Sequence, residues 1–180
     1  MTKAVFVALL ALGVGTRAWA ADRTNLEVLN DVATQVSRYA YFTIFDSVNA
    51  NVKDGIVTLT GKVTLPYKAN EIAKRVAKVN GVTKVENRLE ALPVSQFDSS
   101  LRRQIASAIY AHPALFQYGL GANPSIHVIV EHGRVTLDGV VNNDADRAIA
   151  RMVASSFGSF GQVKNALQTP EEVKQELEKL

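Results

Sequence analysis

The sequence predicts an α+β fold: two α-β-β-α-β units in tandem, each a small three-stranded mixed sheet with two helices on one face, followed by a short C-terminal helix. Three observations carry this. Val52 to Val63 matches Val130 to Val141 at a constant offset of 78, with seven of the twelve positions identical. Within each copy apolar residues alternate at period two around a tight-turn dipeptide, the pattern of a half-buried hairpin. On both sides of each hairpin apolar residues recur at helical spacing, with capping and stop residues at the ends.

The repeat extends beyond that stretch. Val48 and Ala50 pair with Ile126 and Val128 at the same offset, and after a one-residue slip Ile72-Ala73 and Val76-Ala77 pair with Ile149-Ala150 and Val153-Ala154. Both units close alike, Val85-Glu86-Asn87-Arg88-Leu89 matching Val163-Lys164-Asn165-Ala166-Leu167.

In chain order, residues 1–20 read as a secretory signal peptide: Lys3, an apolar run from Ala4 to Gly15, then Ala18-Trp19-Ala20, with cleavage expected after Ala20. Twelve apolar residues fall short of the roughly 20 a spanning helix needs, which weighs against an amino-terminal anchor. Ala21 follows the expected cut, so the expected product is not a lipoprotein. The first unit, residues 24–92, opens on a capping box, Thr24 to Glu27, and Leu29, Val32, Val36 and Tyr39 continue a helix to about Ala40. Two strands joined by Asp54-Gly55 follow, then a helix with Ala69, Ile72, Ala73, Val76 and Val79 on one face, stopped by Asn80-Gly81. The helical crossover sets the last strand, Val85 to Leu89, parallel to the second. Residues 93–96 form a short linker, which favours fixed packing of the two units. The second unit, residues 97–168, repeats the order, with Leu101, Ile105 and Ile109 on its first helix, which ends before His112-Pro113. Residues 169–180 form the final helix, capped by Thr169 with Pro170 in its first turn, and its stripe of Val173, Leu177 and Leu180 must dock on something.

A helix, a strand pair around Gly-Val-Thr-Leu-x-Gly-x-Val, a helix, and Gly-Val-x-x-Val-x-Asn-x-Leu together resemble the BON domain family. Gly55 to Val63 and Gly81 to Leu89 carry the likeness in the first unit; in the second, Gly133 to Val141 fits, while Gly158 to Val163 has one extra residue and lacks the Gly-Val pair. The resemblance spans residues 24–168. It implies a non-enzymatic module of the bacterial envelope, periplasmic, associated with osmotic or envelope stress, that binds phospholipid surfaces or protein partners. It brings no catalytic residue to carry over.

Composition excludes several classes. With no cysteine there is no disulfide framework, thiolate metal site or cysteine nucleophile. A chain 47% hydrophobic and 21% charged, without long runs of one charge, folds rather than staying disordered. Loss of Lys3 and Arg17 with the signal peptide leaves 18 Lys+Arg against 17 Asp+Glu, too little charge for nucleic-acid binding. No arrangement of serine, histidine and carboxylate and no phosphate-gripping glycine loop stands out, so no enzyme and no cofactor are expected. His127 and His132 lack a third metal ligand, and Asp144-Ala145-Asp146, with Asn143, reads as a helix start and not a calcium loop.

Two groups of residues are candidates for lipid or partner binding. The first unit is the more basic, with Lys68, Lys74, Arg75 and Lys78 on its second helix; these form either an anionic-lipid face or a solvated one, since Glu71 is spaced to pair with Lys74 and Arg75. The second unit carries a longer connection before its hairpin, with Leu115, Phe116, Tyr118 and Leu120 on a glycine-flanked loop. These either meet a bilayer interface or a partner, or go inward with Leu115 taking the core place of Phe42. Gly55, Gly61, Gly81, Gly133, Gly139 and Gly158, with Asn87 and Asn165, are expected to be scaffold, Gly61 and Gly139 allowing a close helix approach or a bulge. The function expected is peripheral binding of anionic phospholipid in the periplasm; the alternative is a protein-binding scaffold or chaperone-like holder of unfolded polypeptides.

Overall fold

A computed structural model describes residues 24–121, 123–157 and 163–178. The segment expected to be a signal peptide, Gly158 and Leu180 lie outside the described residues. The order is α1 (Asn25–Ser37), β1 (Ser47–Lys53), β2 (Ile56–Val63), α2 (Pro66–Val76), β3 (Lys84–Ala91), then α3 (Gln96–Ala111), a 3-10 turn (Phe116–Gly119), β4 (Ile126–Glu131), β5 (Arg134–Val140), α4 (Asp144–Ser155), β6 (Lys164–Gln168) and α5 (Pro170–Leu177). This is the α-β-β-α-β order twice, with the final helix. The sheets run β1-β2-β3 and β4-β5-β6, the first pair of each antiparallel and the second parallel.

Local chemistry accounts for most boundaries. The Thr24 capping box forms, Thr24 Oγ1 accepting from Glu27 N–H while the Glu27 carboxylate accepts from Thr24 N–H. Helix α1 ends at Ser37, short of Ala40, and Tyr39 is still buried because the following turn folds back onto the core. Helix α2 likewise stops at Val76, with Val79 buried in the turn beyond it. Asn143 caps α4 through Asp146 N–H. Both hairpins turn through two residues of positive φ, Asp54-Gly55 and His132-Gly133. Asn87 and Asn165 do one job in both units: each side chain donates to a helix carbonyl, of Ala69 or Arg147, and accepts from the backbone N–H two residues on.

Gly61 and Gly139 are scaffold for a different reason from the expected one. A Cβ at Gly61 would lie 2.2 Å from the Ser47 carbonyl oxygen, and one at Gly139 would lie 2.0 Å from that of Ser125. The close neighbour is backbone across the hairpin, β1 at Gly61 and Ser125 just before β4 at Gly139, not a helix, and the paired residues follow one register without a bulge.

Each unit has its own core. Val28, Val32, Val36, Val57, Leu59, Val63, Ile72 and Val76 fill the first. The second is built on Leu101, Ile105, Ile109, Val128, Leu137 and Ala150. The units meet through the segment between α1 and β1: Ile44 and Phe45 pack on the second core, and the Ile44 carbonyl accepts from Val128 N–H at 2.7 Å. Ser47 hydroxyl bonds to the Asp138 carboxylate, and Lys62 reaches Glu131 at 3.0 Å as well as Glu90 at 2.7 Å. Arg147 on α4 holds the Glu172 carboxylate of α5 at 2.8 and 2.9 Å, which docks the final helix.

Candidate functional site

Helix α2 starts without a side-chain cap, with Pro66 in its first turn, and its buried stripe is Ala69, Ile72 and Val76. Lys68 lies beside that stripe and goes inward, contrary to its expected place on a lipid-facing surface. It is only 4% exposed, and its Nζ sits 2.7 Å from Oδ2 of the fully buried Asp46. Asp46 also accepts from the backbone N–H and hydroxyl of Thr43 and of Thr64, at 2.7 to 2.9 Å. Burial opposes ionisation of Asp46, but the hydrogen bonds from Lys68, Thr64 and Thr43 outweigh it and hold the carboxyl below its ordinary range. Lys68 is therefore a structural cation.

The other three cations of α2 differ in their surroundings. Arg75 lies over the Tyr39 ring, 4.9 Å from its centroid, with its Nε buried and, among the described residues, without a hydrogen-bond partner. Lys74 is exposed and pairs with Glu71 at 2.8 Å, the hydrogen bond and attraction lowering the Glu71 carboxyl and raising the Lys74 ammonium. Lys78 is exposed. Two of the four expected cations thus remain on the solvent side.

The loop of the second unit divides in the same way. In the 3-10 turn residues three apart share a side, and Leu115 and Tyr118 face inward, both buried. Tyr118 hydroxyl donates to Asp146 and accepts from Asn142 N–H at 2.8 Å. Burial first, then the Asp146 carboxylate, pushes its phenol above the ordinary value. Leu115 and Tyr118 are core residues, so the inward alternative holds for Leu115, and a contact surface made of all four residues does not form. Phe116, 54% exposed, and Leu120, 64% exposed, stay outside.

The sequence analysis missed an aromatic pair. Tyr41 is 61% exposed and Tyr67 47%, and their rings meet edge to face at 6.5 Å, Tyr41 also meeting Tyr39 at 5.8 Å. Tyr67, Glu71 and Lys74 follow one another at spacings of four and three residues, which puts them on one face of α2, and Lys78 follows in the turn just beyond the helix. That spacing was legible in the sequence; the approach of Tyr41 from the α1–β1 connection was not. The surface carries two phenols at one end and two ammonium groups toward the other, a pattern suited to the headgroup region of a bilayer.

His127 stands between the units, its Nδ1 2.6 Å from the Asp46 carbonyl oxygen and its ring 5.3 Å from that of Phe42. His132 and Gly133 give their backbone N–H groups to Asp98. Among the described residues no group of three or more His, Asp or Glu is placed to hold a metal ion, and no helix is long and apolar enough to cross a membrane.

No curated protein sequence matches the chain. Among solved structures it is similar to the C-terminal domain of CdsD, the structural protein of the type III secretion system of Chlamydia trachomatis, at 14% identity and a TM-score of 0.34, covering 87% of this chain and 71% of that one. A second CdsD structure gives the same identity and TM-score over 83% of this chain and 64% of the other. The family model of the BON domain matches twice, over residues 27–93 and 97–171, one match on each α-β-β-α-β unit. The chain belongs to the BON domain family and carries two copies of that domain in tandem.

Proposed function

We propose that this is a non-enzymatic, envelope-maintaining protein of the periplasm that binds anionic phospholipid surfaces peripherally, chiefly through the exposed face of α2. The observation that carries this is the joint exposure of Tyr41 and Tyr67 on the surface that also bears Lys74 and Lys78. Phe116 and Leu120 offer a second apolar contact on the other unit. Membership of the BON family supports both the binding class and the periplasm, and the signal peptide expected over residues 1–20 would supply the export route.

The geometry also sets the strength. Each basic residue near an anionic leaflet supplies about 1 kcal/mol, so Lys74 and Lys78 give roughly 2 kcal/mol, a factor of about thirty. That cannot hold a protein on a membrane alone, so insertion of the phenol rings has to supply much of the remainder.

Flotation with phosphatidylcholine vesicles, and with vesicles that also contain phosphatidylglycerol, tests this. Expected are binding to the anionic vesicles only, weakening as salt rises, and its loss in Tyr41→Ser/Tyr67→Ser and in Lys74→Glu/Lys78→Glu. Equal binding to both vesicle types, or binding indifferent to all four substitutions in folded protein, would overturn the assignment.

A further inference from the structure

Helix α3 carries a cation that the fold buries without a carboxylate bonded to it. Arg102 is only 6% exposed. Its Nε donates to the Asp98 carbonyl oxygen at 3.3 Å and its Nη2 to the Val130 carbonyl oxygen at 3.1 Å, which fixes the guanidinium between its own helix and β4. The two carboxylates that act on it electrostatically are committed elsewhere. Asp98 accepts from the backbone N–H groups of His132 and Gly133, and Asp46 accepts from Lys68, Thr43 and Thr64. Burial lowers the Arg102 guanidinium more than Asp98 and Asp46 raise it. Arg102 Nη1 makes no hydrogen bond among the described residues. Arg75 Nε is the one buried side-chain nitrogen or oxygen among them left without a partner, so Arg102 Nη1 meets solvent.

Arg102 lines a cavity of about 380 Å³ where the α1–β1 connection, the start of α2, the linker and α3 meet. Ser99 and Arg103 line it too, and the three stand at i, i+3 and i+4 on one face of α3. The Ser99 hydroxyl and the exposed Arg103 guanidinium make no hydrogen bond or ion pair among the described residues. Lys68 is the remaining cation of the lining, its charge answered by Asp46 beneath. No aspartate or glutamate is among the lining residues. The cavity thus gathers two guanidinium groups and a hydroxyl with donors to spare, and no anion to receive them.

We infer that this cavity binds the phosphate group of an ester, held by Ser99, Arg102 and Arg103. Donors from three side chains on one helix face suit an anion with at least three accepting oxygens, which a phosphate ester offers and a carboxylate does not. Because carbonyls already fix Nε and Nη2 of Arg102, Nη1 is in place before the ligand arrives, and little side-chain freedom is lost on binding. Leu65, 43% exposed, and Val94, fully exposed, border the same cavity and give the organic part of the ester an apolar surface to rest on. The inference stands apart from the membrane surface proposed above, since none of Tyr41, Tyr67, Lys74 or Lys78 lines the cavity. A soluble phosphate ester and a phospholipid headgroup present it with the same chemistry.

The test titrates glycerol phosphate into the protein in chloride buffer at constant ionic strength, followed by calorimetry and by the backbone amide shifts of α3. Expected are saturable binding and shifts centred on Ser99 to Arg103. Affinity should fall about tenfold in Arg103→Gln and about threefold in Ser99→Ala, and stay unchanged in Lys74→Glu/Lys78→Glu. Arg102→Lys, read in folded protein, keeps the charge but loses the fork and should weaken binding about as much as Arg103→Gln. Phosphatidylglycerol vesicles added to the complex distinguish the two sources. Displacement of glycerol phosphate assigns the site to a lipid headgroup, and vesicles that leave it bound assign the site to a soluble ester. Absence of saturable binding, acetate binding as tightly as glycerol phosphate, or an affinity indifferent to Arg103→Gln and Ser99→Ala overturns the inference.

Discussion

Lys68 and Asp46 form an ion pair inside a small domain, and the energy of that pair separates a structural cation from a lipid-binding one. Lys68→Met keeps the aliphatic stem and removes the ammonium, leaving the Asp46 carboxylate buried. Breaking one side of a buried pair costs about 3–5 kcal/mol. Four hydrogen bonds from Thr43 and Thr64 still reach the carboxylate, which places the loss near the lower end. At about 2–4 °C per kcal/mol for a protein of this size, a loss of about 3 kcal/mol lowers the melting temperature by roughly 6–12 °C. Asp46→Asn should cost more, because four donors then face an amide with one accepting atom and Lys68 loses its counter-charge. In a double-mutant cycle with Lys68→Met the two losses should be non-additive by about 1–3 kcal/mol. The pH dependence follows from the same geometry. A carboxyl whose folded value lies below its unfolded value, about 3.9, stabilises the fold above that pH. The contribution is lost as pH falls through the depressed folded value, and Lys68→Met should flatten this acid limb. Urea titrations followed by far-ultraviolet circular dichroism measure all of these quantities. A Lys68→Met protein as stable as the parent but impaired in binding anionic vesicles would refute the reasoning, since that is how an exposed lipid-contacting lysine behaves.

Two further outcomes follow from buried geometry. Gly61→Ala and Gly139→Ala combine a positive φ, 127° and 115°, with collision against a neighbouring carbonyl, and each should cost at least about 3 kcal/mol in chemical denaturation, where an exposed Gly121→Ala should cost far less. Tyr118→Phe strips Asp146 and Asn142 N–H of a partner and should lower stability by about 1–3 kcal/mol while leaving vesicle flotation unchanged; loss of flotation at full stability would return Tyr118 to the contact surface.

The expected site divided along lines that residue type could not give. Lys68 and Lys74 are chemically the same, and helix phase places Lys68 beside the apolar stripe. Nothing local, however, shows that a carboxylate 22 residues earlier waits to receive its ammonium. Leu115, Phe116, Tyr118 and Leu120 are all large and apolar or amphipathic; their division into core and surface depends on the 3-10 turn and on Asp146, which is 28 residues from Tyr118. Tyr67 could have been grouped with Lys74 and Lys78 by helical spacing, whereas Tyr41 joins them only when the connection to β1 folds back.

The sequence by itself determined the repeat, the order of elements, both hairpin turns, the capped helix starts and the parallel third strand of each sheet. Those depend on a residue's nearest neighbours: on periodicity, on a side-chain oxygen two or three residues from an N–H, and on residues that accept positive φ. Only the tertiary structure decided which charges were buried, which loop residues entered the core and how Ile44 came to bond the second sheet. Each of these depends on groups brought together from distant parts of the chain, where the free energy of burial is settled by the partner that arrives and not by the residue type that waits.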